Sequence, residues 1–252
     1  MRNINNFLYL VVTVLFLLIS AQSLFPQLQR ISLEGGYIRN SWEDATNSEK
    51  LNVKKSSGIV LLLNAPVVEV IKNRLYFHTA IRFAQRGATV TGPYYKDMQP
   101  VYKHEISYTS LDIPIFYEFR YPILKYTYRY TEIFDKLAIT ARLGIDFSFL
   151  LSSNTSINDK NGNIIYSGKA IEHYSPRIND IPHHICMGIG AEYYFSDNYG
   201  ISLNFGYDCS KALTKTLNHP VFQKTIEYEP ANTKFYEQAI MFSIGGIYRF
   251  TR

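Results

Sequence analysis

The chain has 252 residues, 46% hydrophobic and 19% charged, with a formal net charge of +5 at pH 7. That is one domain or at most two, and a mean hydropathy of -0.11 excludes a bundle of membrane helices. Two cysteines are too few for a disulfide scaffold or a four-cysteine zinc site, and aromatic residues at 15%, with 21 Tyr, favour strands and a lipid–water boundary.

The first segment reads as an address. Arg2 precedes an apolar run from Phe7 to Ile19, and small residues follow at Ser20, Ala21 and Ser23. The run is shorter than the ~20 residues a spanning helix needs. Residues 1–23 therefore read as a cleaved secretory signal peptide, leaving 24–252 as one domain.

From there apolar residues recur at spacing two, the period of a strand with two unlike faces. Ile31, Leu33 and Tyr37 open the pattern. Gly58 to Ile71 is apolar on both parities, so its register stays open. Leu75 to Phe83 follows after a tight link at Lys72-Asn73, then Leu111 to Phe119 and Leu137 to Leu151. Ile185 to Phe195, Ile201 to Tyr207 and Ile240 to Phe250 complete about eight strands. The links at 40–57, 87–107, 152–182 and 210–237 read as long loops, with Asn161-Gly162 as a turn. Those at 72–73 and 196–199 are tight, and 121–136 is intermediate. Long and short links alternate, as in transmembrane barrels with short periplasmic turns and longer external loops.

Alternation alone does not say which face is inside. The polar face carries Gly36, Gly144, Gly188, Gly190, Gly206 and Gly245 beside Arg82, Glu118, Arg120, Arg142, Asp146, Glu192, Asp208 and Arg249. Small residues among charges of both signs suit a crowded barrel interior. Aromatics cluster near the short links (Phe119, Tyr121, Tyr193, Tyr194, Phe195, Tyr199, Tyr248, Phe250), with Tyr37, Tyr108, Phe149 and Tyr207 near the opposite ends. Two such belts are what a lipid-embedded barrel needs. The expected fold is all-β, an eight-stranded antiparallel up-and-down transmembrane β-barrel of a Gram-negative outer membrane.

The stretch Tyr108-Thr-Ser-Leu-Asp-Ile-Pro-Ile-Phe-Tyr-Glu-Phe-Arg120 resembles the strand "Y-L-x-I-P-L-L-x-K-Y" of the PorT-like outer-membrane barrel family of Bacteroidetes-type bacteria. Gln85-Arg-Gly-Ala88 before it, Ala141 to Leu151 after it, Met187 to Tyr193 and the closing Gly245 to Phe250 extend the resemblance over nearly the whole mature chain. It implies an eight-stranded outer-membrane barrel. The family's founding member is associated with protein secretion, and no functional residues carry over. Thr251 and Arg252 follow the closing aromatic, where barrel C-termini usually stop.

Candidate chemistry is sparse, and the sequence reads as a non-enzymatic envelope or partner-binding barrel. The lumen charges are expected to pair and fill the barrel rather than form an ion path. Glu172, His173 and Ser175 fall in the longest predicted link, so no catalytic set is assigned, although a lipid A-modifying enzyme is a conceivable rival. The six histidines are scattered, and His183 and His184 should point to opposite faces, so neither metal ligands nor a cofactor are assigned. Cys186 falls on the polar face and Cys209 on the apolar face, which argues against a bridge. Membrane lipid is the expected partner. Lys50, Lys54, Lys55, Lys211 and Lys215 could meet lipopolysaccharide phosphates, and no nucleic-acid reader is present.

Overall fold

The computed structural model describes residues 30–44, 51–96, 99–128, 132–169, 183–212, 226–228 and 233–250. The signal segment, His173 with its neighbours, and Lys50 and Lys215 lie outside the described residues. The strands are β1 (Arg30–Asp44), β2 (Asn52–Ile71), β3 (Leu75–Lys96), β4 (Gln99–Tyr128), β5 (Glu132–Asn158), β6 (Ile164–Lys169), β7 (His184–Tyr194), β8 (Tyr199–Cys209), β9 (Ile226–Tyr228) and β10 (Thr233–Arg249). Consecutive long strands pair antiparallel and β10 returns to β1, so β1–β5, β7, β8 and β10 close an eight-stranded ring. The short strands β6 and β9 extend β5 and β10 at one end. Closure matters because an open sheet edge in hydrocarbon would leave backbone amides unsatisfied.

Two tight turns share one end of the ring with Arg30 and Arg249. Between β2 and β3, Arg74 N donates to Ile71 O at 2.9 Å, and Asn73 sits at φ 57. Asn tolerates that left-handed geometry better than most residues. Between β7 and β8, Tyr199 N donates to Ser196 Oγ at 3.0 Å. We call this the turn end and the opposite one the loop end.

Several predicted links are strand instead. β3 and β4 run on through most of 87–107, and β4 and β5 run on through most of 121–136. The polar residues there suggested loops because strands that emerge into water no longer need an apolar exterior. The open register of 58–71 is also explained: β2 is irregular between Lys55 and Val60, Pro66 and Val68, and Glu69 and Ile71. Each bulge inserts a residue and shifts the parity. Val60 faces inward and buried, while Val67, Val68, Val70 and Ile71 all face outward.

Around the middle of the ring the faces are inverted relative to a soluble protein. Leu143 is 60% exposed on β5, and Ile189, Leu203, Phe205, Phe242 and Ile244 are exposed on neighbouring strands. On the other parity Arg82, Asp112, Glu118, Asp146 and Asp208 are buried. Phe119, Tyr121, Tyr193, Phe195 and Tyr199 form an exposed aromatic belt near the turn end, and Tyr37 and Phe149 are exposed nearer the loop end. Three belt assignments need correction. Tyr194 and Tyr108 are buried, because strand parity turns them into the lumen, and Phe250, just past β10, is buried with its ring edge-on to Tyr248.

Toward the loop end the sense reverses. Trp42, Ala88, Val90, Ile106, Ile157, Ile226 and Phe235 form a buried apolar cluster inside the ring, joined by the Tyr108 ring. Outside, at the same level, Lys103 pairs with Glu105 at 2.5 Å, both half exposed. Here the exterior meets water, and the interior becomes an ordinary hydrophobic core.

Candidate functional site

The lumen holds two ionic clusters, one above the other. Strand alternation brings the charges inward, and antiparallel register sets them opposite one another: Glu118 beside Arg142 and Asp112 beside Arg82. Glycine makes room for them. A Cβ on Gly144 would lie 2.1 Å from Ile115 O and 2.5 Å from Phe116 Cα, so the adjacent strand leaves no space for a side chain there.

The cluster nearer the turn end balances three guanidinium groups (Arg30, Arg120, Arg142) against three carboxylates (Glu34, Glu118, Glu192). Arg30 Nη1 donates to Glu192 Oε1 at 2.6 Å and Arg120 Nε to Glu192 Oε2 at 2.8 Å. Arg30 Nη2 also donates to Glu118 Oε1, and Arg142 Nε donates to Glu118 Oε2 at 2.7 Å. Glu34 accepts from Ser243 Oγ at 2.8 Å and Asn204 Nδ2 at 2.9 Å. Arg30 stacks over Tyr76 at 5.1 Å, and Arg249 over Tyr194 at 3.7 Å. Here every charge has an opposite partner, which is what a buried charge requires.

The second cluster lies toward the loop end, still level with outward Ile145 and Phe147. Arg82 Nε donates to Asp112 Oδ2 at 3.0 Å, and its Nη2 donates to Asp208 Oδ2 at 2.6 Å and to Asp146 Oδ2. Arg86 Nη2 donates to Asp112 Oδ2 at 2.6 Å, and its Nη1 lies 3.5 Å from Glu237 Oε1. Tyr108 donates to that same Oε1 at 2.5 Å, and His184 Nε2 lies 3.2 Å from Glu237 Oε2. A cavity of about 80 Å³ lies between the clusters, lined in part by Glu34, Arg82, Arg142, Asp208 and Met241. The apolar cluster covers the lumen beyond.

Of the remaining candidates, Cys186 and Cys209 are both free and point to opposite faces, as parity predicts. Lys54 and Lys55 are exposed on β2 near the loop end. Lys211 does not stand free for a phosphate, because Glu43 engages its ammonium group. His183 packs its ring against Phe147, while His184 is fully buried in the lumen beside Asp146 and Asp208. That grouping was invisible in the sequence, since its members come from β5, β7 and β8. The signal that could have found it is parity: all three fall on the polar face of their strands.

The closed ring, its apolar midriff with aromatic belts and its ionic lumen define an outer-membrane-type transmembrane β-barrel. The sequence matches no protein-family model and no curated protein. Among solved structures, OprG from Pseudomonas aeruginosa is 10% identical, over 90% of this chain and 98% of that one, with a TM-score of 0.43. Neisserial surface protein A is 8% identical over 88% and 96%, with a TM-score of 0.39. Ail from Yersinia pestis is 12% identical over 88% and 99%, with a TM-score of 0.38. The closure of the ring and its inverted faces, rather than these likenesses, define the class.

Proposed function

We propose that this protein is a closed, non-enzymatic outer-membrane barrel that acts through its rims and loops. The observation that carries this reading is the filled lumen. Two ionic clusters occupy the membrane level, and an apolar core plugs the loop end. An eight-stranded ring is only just wide enough for its own side chains, so transport through the middle has no room. With short turns in the periplasm and the long links outside, Lys54 and Lys55 would face the lipopolysaccharide phosphates.

Reconstituted into planar bilayers, the purified protein should give no stepwise conductance. Reproducible unitary steps would overturn the closed-barrel reading. A second reading follows from the resemblance of 108–120 to the PorT-like family, namely a subunit of an outer-membrane secretion assembly. Mild detergent extraction of native membranes tests it: a stoichiometric co-purifying complex supports the subunit, and a lone barrel supports the free-standing protein.

A further inference from the structure

We propose that the loop-end half of the lumen is a binding site for one divalent transition-metal cation, ligated by Asp146, His184 and Asp208. Each offers one ligand atom, and these atoms all lie within 4.8 Å of one another. All three side chains are fully buried.

The first reason is charge. Asp112, Asp146, Asp208 and Glu237 are four carboxylates around two guanidinium groups, Arg82 and Arg86. Among the described residues these four carboxylates outnumber the two guanidinium groups by two, whereas the turn-end cluster is balanced. One divalent cation removes that excess.

The second reason is orientation. Oδ2 of Asp112, Asp146 and Asp208 all accept from Arg82, yet among the described residues no hydrogen bond reaches any of the three Oδ1 atoms. Where Nε2 of His184 donates to Glu237 Oε2, Nδ1 offers a lone pair. Among the described residues no hydrogen bond reaches Nδ1, and Asp146 Oδ2 lies 3.8 Å from it. Unpartnered lone pairs in a dry interior are costly, and a bound cation would satisfy them. A histidine whose outer N–H is held by a carboxylate is the usual arrangement of a metal-bound imidazole. Glu237 is in turn held by Tyr108. One nitrogen with two carboxylate oxygens suits a transition divalent ion better than calcium or magnesium.

The test uses the full-length protein in detergent, stripped with chelator and titrated with Zn²⁺ at neutral pH. The expected result is one zinc per chain retained through buffer exchange. His184→Ala and Asp208→Asn should abolish retention, Glu237→Gln should weaken binding by roughly 10–100-fold, and His183→Ala should bind as the parent does. Folding of each variant is followed by heat-modifiable migration. If the variants fail to fold, X-ray absorption of the zinc-loaded parent decides: imidazole plus oxygen ligands support the site, and sulfur or purely oxygen ligation overturns it. No retained zinc in the parent, or equal retention in folded His184→Ala, also overturns it.

Discussion

Glu118 has no exposed surface, and two guanidinium groups reach it from different strands, Arg30 on β1 and Arg142 on β5. Pairs of this kind contribute modestly when intact but are costly to break, because the remaining charge cannot return to water. Arg142→Ala should therefore lower stability by about 3–5 kcal/mol, read as a drop in the temperature at which the fast-migrating native band is lost. An unchanged transition would mean that the lumen is hydrated rather than packed. Gly144 makes a steric case at the same scale. Its missing Cβ would meet the carbonyl of Ile115 at 2.1 Å, and backbone cannot swing aside as a flexible side chain could. Gly144→Ala should cost about 1–3 kcal/mol through overpacking, measured as a lower yield of heat-modifiable protein on refolding.

At the scale of elements, strand length is what distinguishes this barrel. A spanning β-strand needs about 9–11 residues, whereas β4 has 30 and β5 has 27. The surplus carries the sheet beyond the membrane, where β5 and β6 make a hairpin closed by an Asx turn. Asp159 accepts from the backbone of Asn161 and of Asn163, each at 2.8 Å, and from the Asn163 side chain at 2.9 Å. The Asn163 side chain is the first cause holding this exposed carboxyl below its ordinary value, with the backbone donors adding to it. A carboxyl depressed in the folded turn stabilises it above the unfolded value and loses that contribution as pH falls through the folded one. Protection of the Asn161 and Asn163 amides from exchange should accordingly hold at neutral pH and fade only in acid. In Asp159→Ala it should be low at every pH.

For the molecule as a whole, the exterior must satisfy two solvents. Level with the ionic lumen it is apolar, and toward the loop end it carries Lys54, Lys55, Lys103 and Glu105. A charge should be tolerated according to height. Leu143→Arg, in the apolar band, should cost about 2–4 kcal/mol. Thr89→Arg, outward on β3 near the loop end, should stay within about 0.5 kcal/mol. Urea titration in detergent or lipid would measure both, and equal costs would rule out the membrane position described here.

Much of this was present in the pattern of residues. The alternation over 137–151 and 185–208 assigned every inward charge correctly, because side-chain direction in a strand without a bulge has a period of two. The same parity kept Cys186 and Cys209 apart. It was less informative where the solvent changes. Residues 87–107 read as a loop because their apolar positions, Ala88, Val90 and Ile106, are few, and they point into the ring instead of toward lipid. Pairing across the barrel was not legible at all. Arg82 meets Asp208 from 126 residues away, and His184 joins Asp146 and Asp208, only because eight strands close on themselves. The sequence by itself determined which face of each strand is charged. Only closure of the ring decided which charges meet, since pairing depends on circumference and register rather than on local chain direction.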